Sequence, residues 1–231
     1  MRRPVWYPAL ALLVLAASFG LLSCSGQGGS DGASLAQRLA AAKEQLDSSP
    51  SLRFVLSTDE LPAGLAGLLE ADGVGTHAPA FQGDIKVSQS GLSVEAKVTA
   101  VENDVYAKIS FSPVYTRIDP ADYGAPDPAR LMDEKAGISS LLTAADKLAD
   151  DGERRDGADV LQSISATIPG SAVAGIFPSA ASTPFDATFD LTEADQLRSA
   201  EITGRFYRGE PSVTYTLELT SYGERVEISP P

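Results

Sequence analysis

Eight stretches of this chain alternate apolar and polar residues one for one, and nothing else in it constrains the fold as tightly. In 52–58, Leu52, Phe54 and Leu56 alternate with Arg53, Val55 and Ser57. Phe81, Gly83, Ile85 and Val87 oppose Gln82, Asp84 and Lys86. Leu92, Val94, Ala96 and Val98 oppose Ser93, Glu95, Lys97 and Thr99. Beyond Asn103-Asp104, Val105, Ala107, Ile109 and Phe111 face away from Tyr106, Lys108 and Ser110. The C-terminal third repeats the design in 160–168, 185–191, 201–206 and 212–219, and Val226 and Ile228 suit a short final strand. A period of two sends successive side chains to opposite faces. The pattern therefore predicts an antiparallel sheet with one wet face and one apolar face. A twisted sheet of this many strands curls, and its apolar face needs a cover.

Covers are few. Leu35, Leu39, Ala42 and Leu46 recur at helical spacing and predict a first helix that closes at Asp47-Ser48-Ser49-Pro50. In 137–150, a stripe of Ile138, Leu141, Leu142, Ala145 and Leu148 predicts a second. Two further segments, 61–75 and 169–182, mix large apolar residues with many Ala and Gly. Two readings stay open for them. One is ordinary packing at interior density. The other is a lined cavity under the sheet with movable flaps, since Gly leaves the backbone free.

The N-terminus reads as a secretion signal. Arg2 and Arg3 precede an uncharged apolar stretch over 9–22, and Ser23 supplies a small residue before Cys24, the only cysteine. Fourteen such positions are too few to span a bilayer, which needs about 20. The pattern resembles the lipobox of bacterial lipoproteins, which implies a diacylated Cys24 thiol and cleavage just before it. The expected organisation is a signal over 1–23, a lipidated cysteine with a flexible Gly/Ser tether over 24–34, and one domain over 35–231. Such a tether reaches about 17 Å as a coil. A thiol consumed by lipid leaves none for disulfides or thiol catalysis. Loss of Arg2 and Arg3 takes the formal net charge from −13 to −15. That balance argues against nucleic acid and against a body lying flat on anionic lipid.

No catalytic constellation emerges. His77, the only histidine, sits in Gly75-Thr76-His77-Ala78-Pro79 and reads as a solvated turn residue. Ligands at zinc spacing, a nucleophile elbow and phosphate or dinucleotide loops are missing, so neither a metal nor a cofactor is expected. Asp150, Asp151, Glu153, Asp156 and Asp159 form the densest acidic run. Arg154 and Arg155 are interleaved with them, and Gly152 and Gly157 mark turns, so the run reads as a solvated hairpin or loop. Acids elsewhere fall on the wet face of strands.

Three stretches then suggest a family: Gly83-Asp84-Ile85-Lys86-Val87, Asp104-Val105-Tyr106-Ala107, and 119–142, where Tyr123-Gly124-Ala125 leads to Asp127-Pro128-Ala129-Arg130-Leu131 and a Gly137-Ile138-x-x-Leu141-Leu142 helix. With the lipobox, the spacer and the ending Ser221-Tyr222-Gly223-Glu224-Arg225, they resemble the LppX/LprG group of actinobacterial cell-envelope lipoproteins, the LprG branch most of all. The resemblance implies an α+β fold, a single strongly curved half-open antiparallel β-sheet packed on helices and enclosing a hydrophobic cavity. It implies carriage of acylated envelope lipids, such as triacylated glycolipids or triacylglycerol, from the inner membrane outward, with an inner-membrane exporter as a partner and no catalytic residues. The sheet residues expected to line the cavity are Phe54, Leu56, Ile85, Val87, Val94 and Ala96, followed by Val98, Val105, Ala107, Ile164 and Phe189. Leu65, Leu68, Leu69, Leu142, Val173 and Ile176 would come from the covers. The remaining readings are a docking lipoprotein with a filled core and a protein partner, and an envelope hydrolase with an unfamiliar site.

Overall fold

A computed structural model describes residues 27–110, 112–123 and 125–231. Cys24, the signal and Phe111 lie outside the described residues. The elements are α1 (Gln27–Ser48), β1 (Ser51–Ser57), β2 (Gly67–Thr76), β3 (Ala80–Gln89), β4 (Leu92–Val101), β5 (Asp104–Ile109) and β6 (Thr116–Ile118), then α2 (Ser140–Ala144), β7 (Asp146–Asp156), β8 (Asp159–Ile168), α3 (Gly170–Ile176), β9 (Phe185–Thr192), β10 (Leu197–Gly204) and β11 (Val213–Tyr222). All eleven strands join one open sheet in the order β6-β5-β4-β3-β2-β1-β11-β10-β9-β8-β7. Every pairing is antiparallel.

The topology is two meanders, β1 to β6 and β7 to β11, joined where β1 pairs β11. The chain leaves the first meander at one sheet edge, β6, and enters the second at the other, β7. The connection over 119–145 must therefore pass from edge to edge. It does so through two 3₁₀ turns, Pro120–Tyr123 and Pro128–Arg130, and the short α2. Asp127 caps the second turn by accepting a hydrogen bond from the Ala129 amide at 3.0 Å.

Helix α1 buries Leu35, Leu39, Ala42 and Leu46, the stripe that predicted it. Its described part runs from Gln27, so helix already occupies part of the stretch expected to be a coil tether. Arg38 pairs with Asp195 and donates to the Thr192 carbonyl at 2.8 Å, which fixes the helix to the β9–β10 turn. Asp47 accepts from Ser139 Oγ at 2.6 Å, and Lys43 donates to the Glu134 carbonyl at 2.7 Å. Those two bonds hold α1 to the crossing segment. His77 is half-buried rather than solvated: its Nε2 lies 3.2 Å from the Leu46 carbonyl in the last turn of α1. Among the described residues, the buried apolar members of the core fall between Leu35 and Leu219.

Several expectations fail for identifiable reasons. Most of 61–75 is the central strand β2, not a flap. A bulge at Leu69, where the β2–β3 register shifts between Leu68 and Glu70, breaks the period of two. Its inward positions are then Ala71, Gly73 and Gly75. Glycine there makes room for rings: a Cβ on Gly73 would stand 2.5 Å from the Phe81 ring, which in turn packs on Phe54 at 5.7 Å between centroids. Gly67 likewise admits Tyr207, whose hydroxyl accepts from the Leu68 amide at 3.2 Å and shares a 2.9 Å hydrogen bond with Tyr215. Tyr215 donates to the Leu68 carbonyl, so two buried phenols satisfy the bulged backbone.

The helical stripe of 137–150 lasts only through Ala144, and Leu148 lies on β7. Eight of the eleven β7 residues are charged, and its pairing with β8 shifts register twice. Charges and bulges of this kind protect an edge strand from pairing with another chain. The acidic run forms the β7–β8 hairpin, turning at Gly157-Ala158. Val226 and Ile228 form no strand. Segment 169–182 does supply a cover, α3, which buries Val173 and Ile176.

Asp190, expected to be solvated, is nearly buried on the outer face. Arg154 donates to it at 2.7 Å, Ser163 at 2.6 Å and Ser199 at 2.7 Å. Burial alone would raise its pKa, but these donors outweigh burial and hold the carboxyl below its ordinary value of 3.8. Stability from this group is therefore present above about pH 4 and is lost as pH falls through the lower folded value. Asp190→Asn should destabilise the protein by roughly 1–3 kcal/mol at pH 7. In urea titrations the gap between the variant and the unaltered protein should narrow as pH falls below the ordinary carboxylate range.

Candidate functional site

The inner face of the sheet is covered unevenly. Under β8 to β11 it is filled: Ile164, Phe189, Tyr215 and Leu217 are buried, and Phe177, Phe185, Phe206 and Tyr215 pack ring against ring at 4.8–5.9 Å. Under β3 to β5 burial fades along each strand. On β4 it runs from Ala100 at 0% and Val98 at 4% exposed, through half-buried Ala96 and Val94, to Leu92 at 70%. On β5 it runs from Val105 at 4% through Ala107 to Ile109 at 42%. These are the inward positions of strands with the same alternation as the filled half. The difference lies in what covers them.

The cover here is Val114 of the β5–β6 loop and the irregular chain that follows β6, with Pro120, Tyr123, Ala125, Pro126 and Pro128, and between it and the sheet lies a half-open apolar pocket of about 330 Å³. Sheet residues Ile85, Val87, Val94, Ala96, Val98, Val105, Ala107 and Ile109 form its roof. Thr116 and Ile118 of β6, paired with Ala107 and Val105, extend that roof, and Val114, Pro120, Tyr123, Pro126 and Pro128 lead the opposite wall. Among the described residues, no charged side chain lines it. Prolines lack an amide donor, so this wall presents few unsatisfied backbone groups to an apolar occupant. A wider groove of about 670 Å³ shares Val105, Thr116, Ile118, Pro120, Tyr123 and Ala125 with it. That second space is polar, with Asn103, Arg117, Asp119, Asp122 and Asp127 on its walls.

Of the residues expected to line a cavity, Ile85, Val87, Val94, Ala96, Val98, Val105 and Ala107 meet in this pocket. Phe54, Leu56, Leu68, Leu142, Ile164, Val173, Ile176 and Phe189 are instead buried in the packed core outside it. Leu65 and Leu69 are half-buried beside the start of β2. The 112–128 wall escaped sequence reading because it has no periodicity. Its signal was compositional: four prolines at 113, 120, 126 and 128 among apolar residues. Among the described residues, no three His, Cys, Asp or Glu side chains are grouped to hold a metal ion. None of the described helices is long and apolar enough to cross a membrane.

The sequence profile of the LppX_LprAFG lipoproteins matches residues 31–228. The chain belongs to that family. Its fold is similar to that of LprF from Mycobacterium bovis, with a TM-score of 0.70 and 16% identity over 86% of this chain and 97% of that one. It is also similar to that of the Mycobacterium tuberculosis lipoprotein LppX, with a TM-score of 0.63 and 18% identity over 85% and 99% of the two chains. No curated protein matches the sequence.

Within this member of the LppX_LprAFG family, Ile85 offers a direct handle on the pocket. It lines the space but is only half-buried, so a larger side chain there has room to turn into the void. Ile85→Trp should weaken binding of a fluorescent acyl-chain probe about tenfold or more, while the melting temperature stays within a few degrees of the original. Undiminished probe binding by this variant would show that the probe sits elsewhere.

Proposed function

We propose that this chain is a lipid-anchored carrier that shields the acyl chains of envelope lipids in the pocket beneath β3 to β6. On this reading it is tethered through Cys24 to the outer side of the cell membrane, and the sheet curls over its cargo. The observation that carries the proposal is the fading burial of Val98, Ala96 and Val94 along a strand whose other features are those of a core. Leaving apolar surface wet is costly, at about 25 cal/mol per Å². A chain that leaves this face unfilled, yet fills its other half to native density, is built to have a ligand complete it. Acyl chains fit the requirement, since each CH₂ removed from water is worth roughly 0.8 kcal/mol and no hydrogen bonds are needed.

The two adjoining spaces suit an amphiphile. Acyl chain would occupy the uncharged pocket, and a head group would lie in the polar groove across the shared wall at Ile118, Pro120 and Tyr123. Triacylated glycolipids of the phosphatidylinositol mannoside or lipoarabinomannan type, or triacylglycerol, are the cargo class proposed. Movement is outward from the inner membrane, with an inner-membrane exporter as partner. At about 330 Å³ the pocket is at the small end of the ~300–1,000 Å³ typical of ligand sites. A cargo with several chains therefore requires the wall that follows β6, with Pro120, Tyr123, Pro126 and Pro128, to lift from the sheet. Catalysis forms no part of the role.

The test is native mass spectrometry on residues 24–231 with Cys24→Ser, made in a mycobacterial host. Added masses that dissociate as acylated lipids or glycolipids are expected. A protein that stays free of lipid after incubation with an envelope lipid extract would overturn the carrier reading. The chain would then be a docking lipoprotein.

A further inference from the structure

Among the described residues, three large apolar side chains are markedly exposed: Leu92 at 70%, Val114 at 64% and Ile109 at 42%. All three lie at one end of the molecule. Leu92 opens β4 at the tip of the β3–β4 hairpin, beyond Gln89 and the Ser90-Gly91 turn. Ile109 ends β5 opposite Ala96, so the hairpin overhangs it by four residues, about 13 Å. Val114 follows in the loop that Ser112 ties back to the Ile109 carbonyl at 3.0 Å. Ile109 and Val114 also line the apolar pocket. Apolar surface therefore runs without a break from inside the pocket to the outside of the protein.

The charge pattern singles out the same end. Residues 88–93 and 109–116 contain no Asp, Glu, Lys or Arg, although 21% of the chain is charged and the net charge is −13. The first charges behind this tip on β3 to β6 are Lys86, Glu95, Lys108 and Arg117, which sum to a positive balance. A protein partner could be bound by charge or by a flat patch, and this end offers neither. It offers a neutral, serine-rich rim with protruding Leu and Val, backed by two lysines, on a protein that is otherwise strongly acidic. That combination suits the interface of a lipid bilayer, where apolar tips enter the acyl boundary and lysines meet anionic head groups.

We propose that the end carrying Leu92, Ile109 and Val114 docks on a membrane surface with those three side chains inserted, so that the pocket mouth opens into the bilayer. This inference rests on the carrier reading and adds to it a route for lipid that avoids water. The tip inserts as an edge; the acidic body stays clear of the surface.

The test uses residues 24–231 with Cys24→Ser, which contain no tryptophan because Trp6 is the only one in the chain. Leu92→Trp should shift its emission to the blue on adding vesicles of phosphatidylethanolamine and phosphatidylglycerol. Ala158→Trp, in the β7–β8 turn at the opposite end of the sheet, should not. Leu92→Asp should lower partition onto the same vesicles about tenfold. Its lipid uptake from detergent micelles should be unchanged, since Leu92 is not among the pocket lining. No shift for Leu92→Trp, an equal shift for Ala158→Trp, or unaltered partition of Leu92→Asp would overturn the proposal. So would a concentration-dependent dimer that Leu92→Asp abolishes without any vesicle binding, since the rim would then belong to a second copy. Vesicle binding without uptake from micelles would uphold the docking end and reject the carrier reading.

Discussion

An apolar sheet face has to be covered, and this chain has too little helix to cover eleven strands. The described part of α1, with the short α2 and α3, supplies 34 helical residues in three pieces of 22, 5 and 7. They and the aromatic cluster of Phe177, Phe185, Phe206 and Tyr215 fill the space beneath the second meander and its junction with β1. The rest depends on the connection from β6 to β7. Because those strands are opposite edges, the connection is forced across the inner face whatever its sequence. Its irregular part packs closely at Ala129, Leu131 and Met132 and leaves the face before them open. The pocket follows from that shortage.

Function then reads as a consequence of uneven packing. One half of the sheet has the close packing of an ordinary core, which anchors α1 through Leu39 and Ala42 and gives the molecule its rigidity. The other half keeps the same alternation but leaves its inward residues partly wet, graded from Ala100 inward to Leu92 outward. Such a face gains more from an apolar occupant than a closed core could. On the carrier reading, the adjoining polar groove would give an occupant a direction, with its chain in the pocket and its head in the groove.

Much of this architecture was legible in the sequence, and the exceptions share a cause. Period two named β1, β3, β4, β5, β8, β9, β10 and β11 because each has large apolar residues at its inward positions. It missed β2, where a bulge at Leu69 shifts the phase and rings from Phe54 and Phe81 replace side chains at Gly73 and Gly75. It missed β7, an edge strand whose charges and bulges serve to prevent pairing. The candidate site divided along the same line. Residues on β3, β4 and β5 meet at one pocket, whereas Ile164 and Phe189, identical in pattern, are sealed by α3 and its neighbours. Alternation reveals which face is apolar. What lies on that face is decided by the long-range path of the chain, to which local pattern is blind.

The central claim is that acyl chain lies between the inner face of β3–β6 and the wall formed by Val114 and the chain that follows β6. Photocrosslinking with a lipid carrying a diazirine along its acyl chain, followed by peptide mapping, tests it most directly. The account predicts adducts concentrated in 85–128, on residues such as Ile85, Val94, Ala107 and Ile118. Adducts centred on α3, β8 or β9, or scattered evenly over the surface, would contradict it.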